Sequence, residues 1–171
     1  MYYKNNNILK IASYLLIILY LLSICSCKNI TPEIYIFSNI DECKNIEKYK
    51  KADAIIENYD SPENDSNIKD LNYENFFGCN YSDSDINFEI FAYEFNNYET
   101  AKLYFKNETG KSTDNNADFL ESTGMTKSKR IVIYDNRAYY IQTEKENFEK
   151  VKEFINNCFT EKITFDTTES N

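Results

Sequence analysis

Ile86-Asn87-Phe88-Glu89-Ile90-Phe91-Ala92-Tyr93-Glu94-Phe95 is the stretch on which the fold turns. Its side chains alternate with a period of two, and both sets are rich in apolar residues: Ile86, Phe88, Ile90 and Ala92 on one side, Phe91, Tyr93 and Phe95 on the other. A strand apolar on both faces needs cover on both, so the segment reads as an interior strand of a sheet. Directly after it, Asn96 with Glu99 three residues on starts a helix bearing Ala101, Leu103, Tyr104 and Phe105, which stops at Gly110.

Working toward the C-terminus, Arg130-Ile131-Val132-Ile133-Tyr134 and Ala138-Tyr139-Tyr140-Ile141 flank Asp135-Asn136-Arg137, a tight-hairpin signature. Thr143 with Glu146 caps a helix over Glu144 to Cys158, with Phe148, Val151, Phe154, Ile155 and Cys158 at steps of three and four, and Ile163-Thr164-Phe165 comes after it as an edge strand. From residue 86 onward the order is that of the split βαβ, ferredoxin-like arrangement (βαββαβ). The fold class expected is therefore α+β, an antiparallel sheet with helices packed on it, with Phe88, Ile133, Val151 and Phe154 in its core.

The upstream half is less regular. Glu33 to Phe37 reads as a first strand, and Ile40, Cys43, Ile46, Tyr49, Ala52 and Ile56 recur at helical spacing behind Ser38 and Asp41, predicting a helix over about 39–58. The run from Asp60 to Asn67 reads as a solvated acidic connector, and Ile68 to Phe77 as a short helix or irregular segment ending at Gly78. Lys111 to Lys127 is polar, with one small apolar turn at Phe119-Leu120.

The N-terminus has a different character. Lys4 and Lys10 precede a nearly unbroken apolar run from Ile11 to Ile24, and no acidic residue occurs before Glu33. The run falls short of the roughly 20 apolar residues that a spanning helix needs, so it reads as the apolar region of an exported leader. At its end, Leu22-Ser23-Ile24-Cys25-Ser26-Cys27 resembles the lipobox of bacterial lipoproteins. Two registers exist. With Cys27 as the lipidated residue, Ser26 lies before the cut; with Cys25 modified, Ile24 lies there, where the family's peptidase prefers Gly, Ala or Ser. The Cys27 register is the better one. The resemblance implies a leader over 1–26, a diacylglyceryl group on the Cys27 thiol, acylation of the new amino terminus, and stable attachment to the outside of a cell membrane, inner or outer. Residues 27–32 would be a lipidated tether, 33–166 a single domain and 167–171 a polar tail.

Composition narrows the function. Once Lys4 and Lys10 leave with the leader, 17 basic and 28 acidic residues remain, a net charge of −11 that repels nucleic acid phosphates. The chain has no histidine, which removes the commonest general base and the commonest metal ligand. Three cysteines, Cys43, Cys79 and Cys158, remain beyond Cys27. An oxidising envelope would favour one disulfide and one free thiol, with three pairings open, whereas in an anaerobe all three can be buried small hydrophobes.

No catalytic or cofactor motif survives inspection. Asp83, Asp85, Asn87 and Glu94 match the spacing of a calcium loop, but Phe88 stands where that loop needs Gly and the segment alternates as a strand, so these acids read as strand flanks, not metal ligands. Gly110-Lys111-Ser112 lacks the earlier Gly of a phosphate loop, because position 105 is Phe105. The acid pairs Glu144 with Glu146 and Asp83 with Asp85 read as solvated faces. Among the 15 tyrosines, Tyr93, Tyr134, Tyr139 and Tyr140 fall on predicted strands and are the candidates for a binding surface, with ordinary sheet packing as the alternative. The expectation is a non-catalytic envelope lipoprotein whose partners are the membrane, through its anchor, and an envelope protein, peptide or glycan. A small carboxylate-dependent hydrolase acting on cell-wall or host glycans is the alternative. A deep cleft with converging acids would favour the hydrolase, and a shallow Tyr-lined sheet face would favour binding.

Overall fold

The interior strand lies where its alternation puts it. The computed structural model describes residues 33–63, 65–163 and 165. Within them the chain runs β1 (Ile34–Ile36), a 3-10 turn (Ile40–Lys44), α1 (Asn45–Tyr49), β2 (Ile55–Asn58), β3 (Tyr73–Ser82), β4 (Asn87–Phe95) and α2 (Tyr98–Thr109). It continues through β5 (Ala117–Thr123), β6 (Lys127–Tyr134), β7 (Arg137–Glu144), a second 3-10 turn (Lys145–Asn147), α3 (Phe148–Cys158) and β8 (Glu161–Ile163). Six strands form one antiparallel sheet in the order β2-β3-β4-β7-β6-β5, with β4 between β3 and β7. The α+β class, an antiparallel sheet with helices packed on it, is as expected.

Both faces of the sheet are covered, each by its own helix. Phe88, Ile90 and Ala92 of β4 join Val132, Tyr139 and Ile141 beneath Val151, Ile155 and Cys158 of α3, and β1 and β8 close the margin of this core. On the other face Phe91, Tyr93 and Phe95 join Ile131, Ile133 and Tyr140 beneath Ala101, Tyr104 and Phe105 of α2. Phe88, Val151 and Ile133 are buried as expected, but Ile133 lies on the opposite face from the other two, and Phe154 is only half-buried.

Local signals explain the elements that were anticipated. Asn97, one residue after the expected position, caps α2 by accepting the Thr100 amide at 3.0 Å, and Gly110 ends the helix in the left-handed region at φ 71°. Asp135 and Asn136 close the β6–β7 hairpin with Asp135 at φ 50°, while Asn136 exchanges backbone and side-chain hydrogen bonds with Phe95.

Tertiary pairing overrode sequence pattern in five places, one being that Thr143 and Glu144, expected to cap and open the last helix, end β7 instead, so that α3 starts only at Phe148. The ferredoxin-like order holds through β4, α2, β6 and β7, with β7 lying between β4 and β6. It then departs: β3 occupies the β4 edge that the last strand would take, so β8 pairs with β1 instead. The expected helix over 39–58 is only a 3-10 turn and five residues of α1, and the chain becomes extended at Lys50. Ile55 and Ile56, β-branched residues that fit a pleated surface, pair instead with Ser82 and Tyr81 along the open edge of β3. Ile68 to Phe77 yields no helix; Tyr73 begins the ten-residue strand β3, and Gly78 lies in its middle. The polar stretch around Phe119-Leu120 is the edge strand β5, whose pairing with β6 runs from Ala117 to Thr123.

Candidate functional site

On the α2 face of the sheet the apolar cover stops short of one end. Strand register places two polar rows there: Asn80, Glu89, Gln142 and Lys129 lie side by side across β3, β4, β7 and β6, and Ser82, Asn87, Glu144 and Lys127 form the next row. An open groove with a cavity volume of about 360 Å³ lies over all of them but Lys129, which stands at its margin. The same alternation that carries Phe91 and Tyr93 into the α2 core carries Glu89 and Asn87 onto this surface, since residues two apart share a face.

Tyr59 forms the aromatic wall. Its ring stacks on Phe91 at 5.5 Å with an interplanar angle of 21° and lies against Gly78, where an added Cβ would come within 3.0 Å of Tyr59 and 2.5 Å of the Phe76 ring. Gly78 is therefore a packing glycine, and its place in mid-strand is explained by close approach rather than by a helix stop. The Tyr59 hydroxyl donates to Glu89 Oε1 at 2.9 Å; partial burial and the Glu89 carboxylate push its pKa up to about 12. Below the groove the Tyr140 hydroxyl donates to Gln142 Oε1 at 3.0 Å, which fixes the amide and leaves its NH₂ for other partners. Lys129 Nζ lies 5.4 Å from the centroid of the Tyr140 ring.

The four candidate tyrosines do not form one surface. Tyr93 and Tyr139 are fully buried on opposite faces, Tyr140 is 8% exposed beneath the groove, and Tyr134 is half-buried on the α3 face beside Arg137. Strand alternation separates them, and only Tyr140 contributes to the groove, through Gln142. Tyr59 escapes sequence reading because it comes after the predicted helix and before the loop, with no periodic context; its one signal is a Gly at position 78 inside an otherwise aromatic strand.

The acidic segments have other work. Asp83 accepts the Asp85 and Ile86 amides at 2.7 and 2.8 Å and the Tyr81 hydroxyl at 2.8 Å. Burial raises its pKa, but these donors and nearby Lys51 outweigh that and hold the carboxyl below the ordinary range. Asp83 is thus the clasp of the β3–β4 turn, and Lys51 is ion-paired with Asp85. Among the described residues no group of three or more Cys, Asp or Glu side chains is placed to hold a metal ion. The run from Asp60 to Asn67 is not simply a solvated connector. Asp65 is buried and its Oδ2 accepts both the Tyr93 and the Tyr104 hydroxyls at 2.8 Å, while Asn67 donates to Glu108. Glu108, on α2, has its pKa raised by burial and by the Asp65 charge against the opposing hydrogen bond from Asn67.

Cys43, Cys79 and Cys158 are unpaired and buried together in the α3-face core, the all-hydrophobe reading of the three thiols. Cys27 and the leader, together with residues 167–171, lie outside the described residues. Comparison with protein-family models, curated proteins and solved structures finds no significant match to this chain.

Proposed function

We propose that the chain is a membrane-anchored envelope lipoprotein, held through Cys27, whose domain from Glu33 onward works by binding rather than by catalysis. The observation that carries the binding part is the groove: it is open, floored by a rigid sheet, and lined by amides, hydroxyls, two carboxylates and one lysine. Such a surface can hold a polar partner without moving. The lipobox-like Leu22 to Cys27 supports the anchor.

The hydrolase reading draws on Glu89 and Glu144, diagonal neighbours on β4 and β7. Both rise from the same sheet face, whereas glycoside hydrolysis needs two acids flanking the scissile bond. Glu89 also commits one oxygen to Tyr59. Binding is the better-supported role.

Membrane fractionation and intact-mass analysis of expressed chains test the anchor. Cys27→Ser is expected to abolish both leader cleavage and membrane retention, while Cys25→Ser leaves them nearly intact. A lipidated product beginning at Cys25 would overturn the register, and retention of unlipidated Cys27→Ser protein after leader removal would overturn the anchor itself.

A further inference from the structure

We infer that the groove takes an uncharged oligosaccharide laid across β3, β4 and β7, an inference that rests on the binding role proposed above and names its ligand. Each row offers a neutral group on β3, Asn80 or Ser82, then a mixture of amide and carboxylate on β4 and β7, and ends on a lysine of β6. Within the groove the carboxylates Glu89 and Glu144 meet one lysine, Lys127, and Lys129 ends its row outside the lining, so the charge here is small in a chain whose overall charge is strongly negative. A polyanion laid along either row would meet a carboxylate, and a polycation would meet Lys127 in the groove or Lys129 at its margin. A neutral polyol meets no like charge.

The chemistry of the side chains points the same way. A sugar hydroxyl both donates and accepts, so it is best met by amides, which do both, next to carboxylates, which accept strongly. Asn80, Ser82 and Asn87 are exposed, Gln142 keeps its NH₂, and Glu89 keeps its second oxygen. Strands in a sheet are about 4.8 Å apart, a spacing close to the repeat of a pyranose chain, so successive rings would meet successive side chains of one row. Tyr59 adds an aromatic edge for the C–H face of a ring. Stacked on Phe91 and tied to Glu89, it is ordered before any ligand arrives, so little conformational entropy is lost on binding.

Titration calorimetry on the full chain in detergent micelles tests this, with glucose and N-acetylglucosamine tetrasaccharides as neutral probes, a galacturonate tetrasaccharide as the acidic probe and tetralysine as the peptide probe. At least one neutral tetrasaccharide should bind saturably at one site, with Kd on the order of 0.1 mM. Combining Asn80→Ala with Asn87→Ala, both exposed groove residues, should weaken it about tenfold or more, with the melting temperature unchanged, while Lys150→Ala, on α3 over the other face, leaves it intact. Saturation by neither neutral probe, or binding confined to the acidic or the peptide probe, overturns the ligand class; in the latter case the binding role still stands. Conversion of a bound tetrasaccharide to shorter sugars, abolished by Glu144→Gln, would support the saccharide site and overturn the non-catalytic role instead.

Discussion

A carboxylate that accepts two buried phenol hydroxyls cannot be truncated without orphaning both. Asp65 does this for Tyr93 and Tyr104, whose rings are themselves edge-on at 5.1 Å in the α2-face core. Each unsatisfied buried hydroxyl costs about 1–3 kcal/mol, so Asp65→Ala should lower unfolding free energy by about 2–5 kcal/mol in denaturant titrations. Phe154 provides the comparison. It touches Tyr81 and Phe88 but is only half-buried, so Phe154→Ala should cost less, about 1–2 kcal/mol by lost apolar burial. A small effect at Asp65 beside a large one at Phe154 would reject the buried acceptor and restore the solvated connector suggested by composition.

At the scale of elements, β3 decides more than any other strand. Its pairing with β4 excludes β8 from the sheet, its other edge draws Ile55–Asn58 out of a helix, and its Gly78 makes room for Tyr59. A methyl group at position 78 must displace the Phe76 and Tyr59 rings, the latter from its stack on Phe91. Gly78→Ala should cost about 1–3 kcal/mol, the usual range for overpacking. It should also loosen the hydrogen bond from Tyr59 to Glu89, so the Tyr59 phenol titrates nearer its ordinary value than the pKa of about 12 it has in the native fold. Spectrophotometric titration of Gly78→Ala against the native chain, with Tyr59→Phe identifying the signal, measures this. An unshifted Tyr59 in a fully stable Gly78→Ala chain would refute the close approach.

For the whole molecule, the three thiols report whether its parts unfold together. Cys43 comes from the 3-10 turn, Cys79 from β3 and Cys158 from α3, and all three are buried in the core between sheet and helix. Burial pushes the Cys79 and Cys158 thiols up to about 12 and the Cys43 thiol well above its ordinary value, so almost no thiolate is present at neutral pH. In a chain with Cys25 and Cys27 changed to serine, a thiol-reactive dye should label none of the three in the native state. All three should become reactive at one denaturant midpoint. Early labelling of Cys43 alone would mean that the turn and α1 open independently of the sheet.

What the sequence determined by itself is the set of elements whose signals are local and agree with one another. β4 shows alternation on both faces, α2 its Asn and Gly caps, β6 and β7 the Asp135-Asn136-Arg137 turn signal between β-branched and aromatic runs, and α3 its apolar stripe. Tertiary structure alone decided the rest, because those outcomes depend on partners distant in the chain. Strand order sent β8 to β1, an open edge turned Ile55–Asn58 into a strand, and two tyrosines from β4 and α2 converged on Asp65. The groove belongs to the same class. Its polar residues each look like the solvent side of a half-covered strand, and only the register of β3, β4, β7 and β6 gathers them into rows beside a tyrosine that no periodic pattern marks. Alternation fixes which face a side chain takes, but it carries no information about which strand lies next to it.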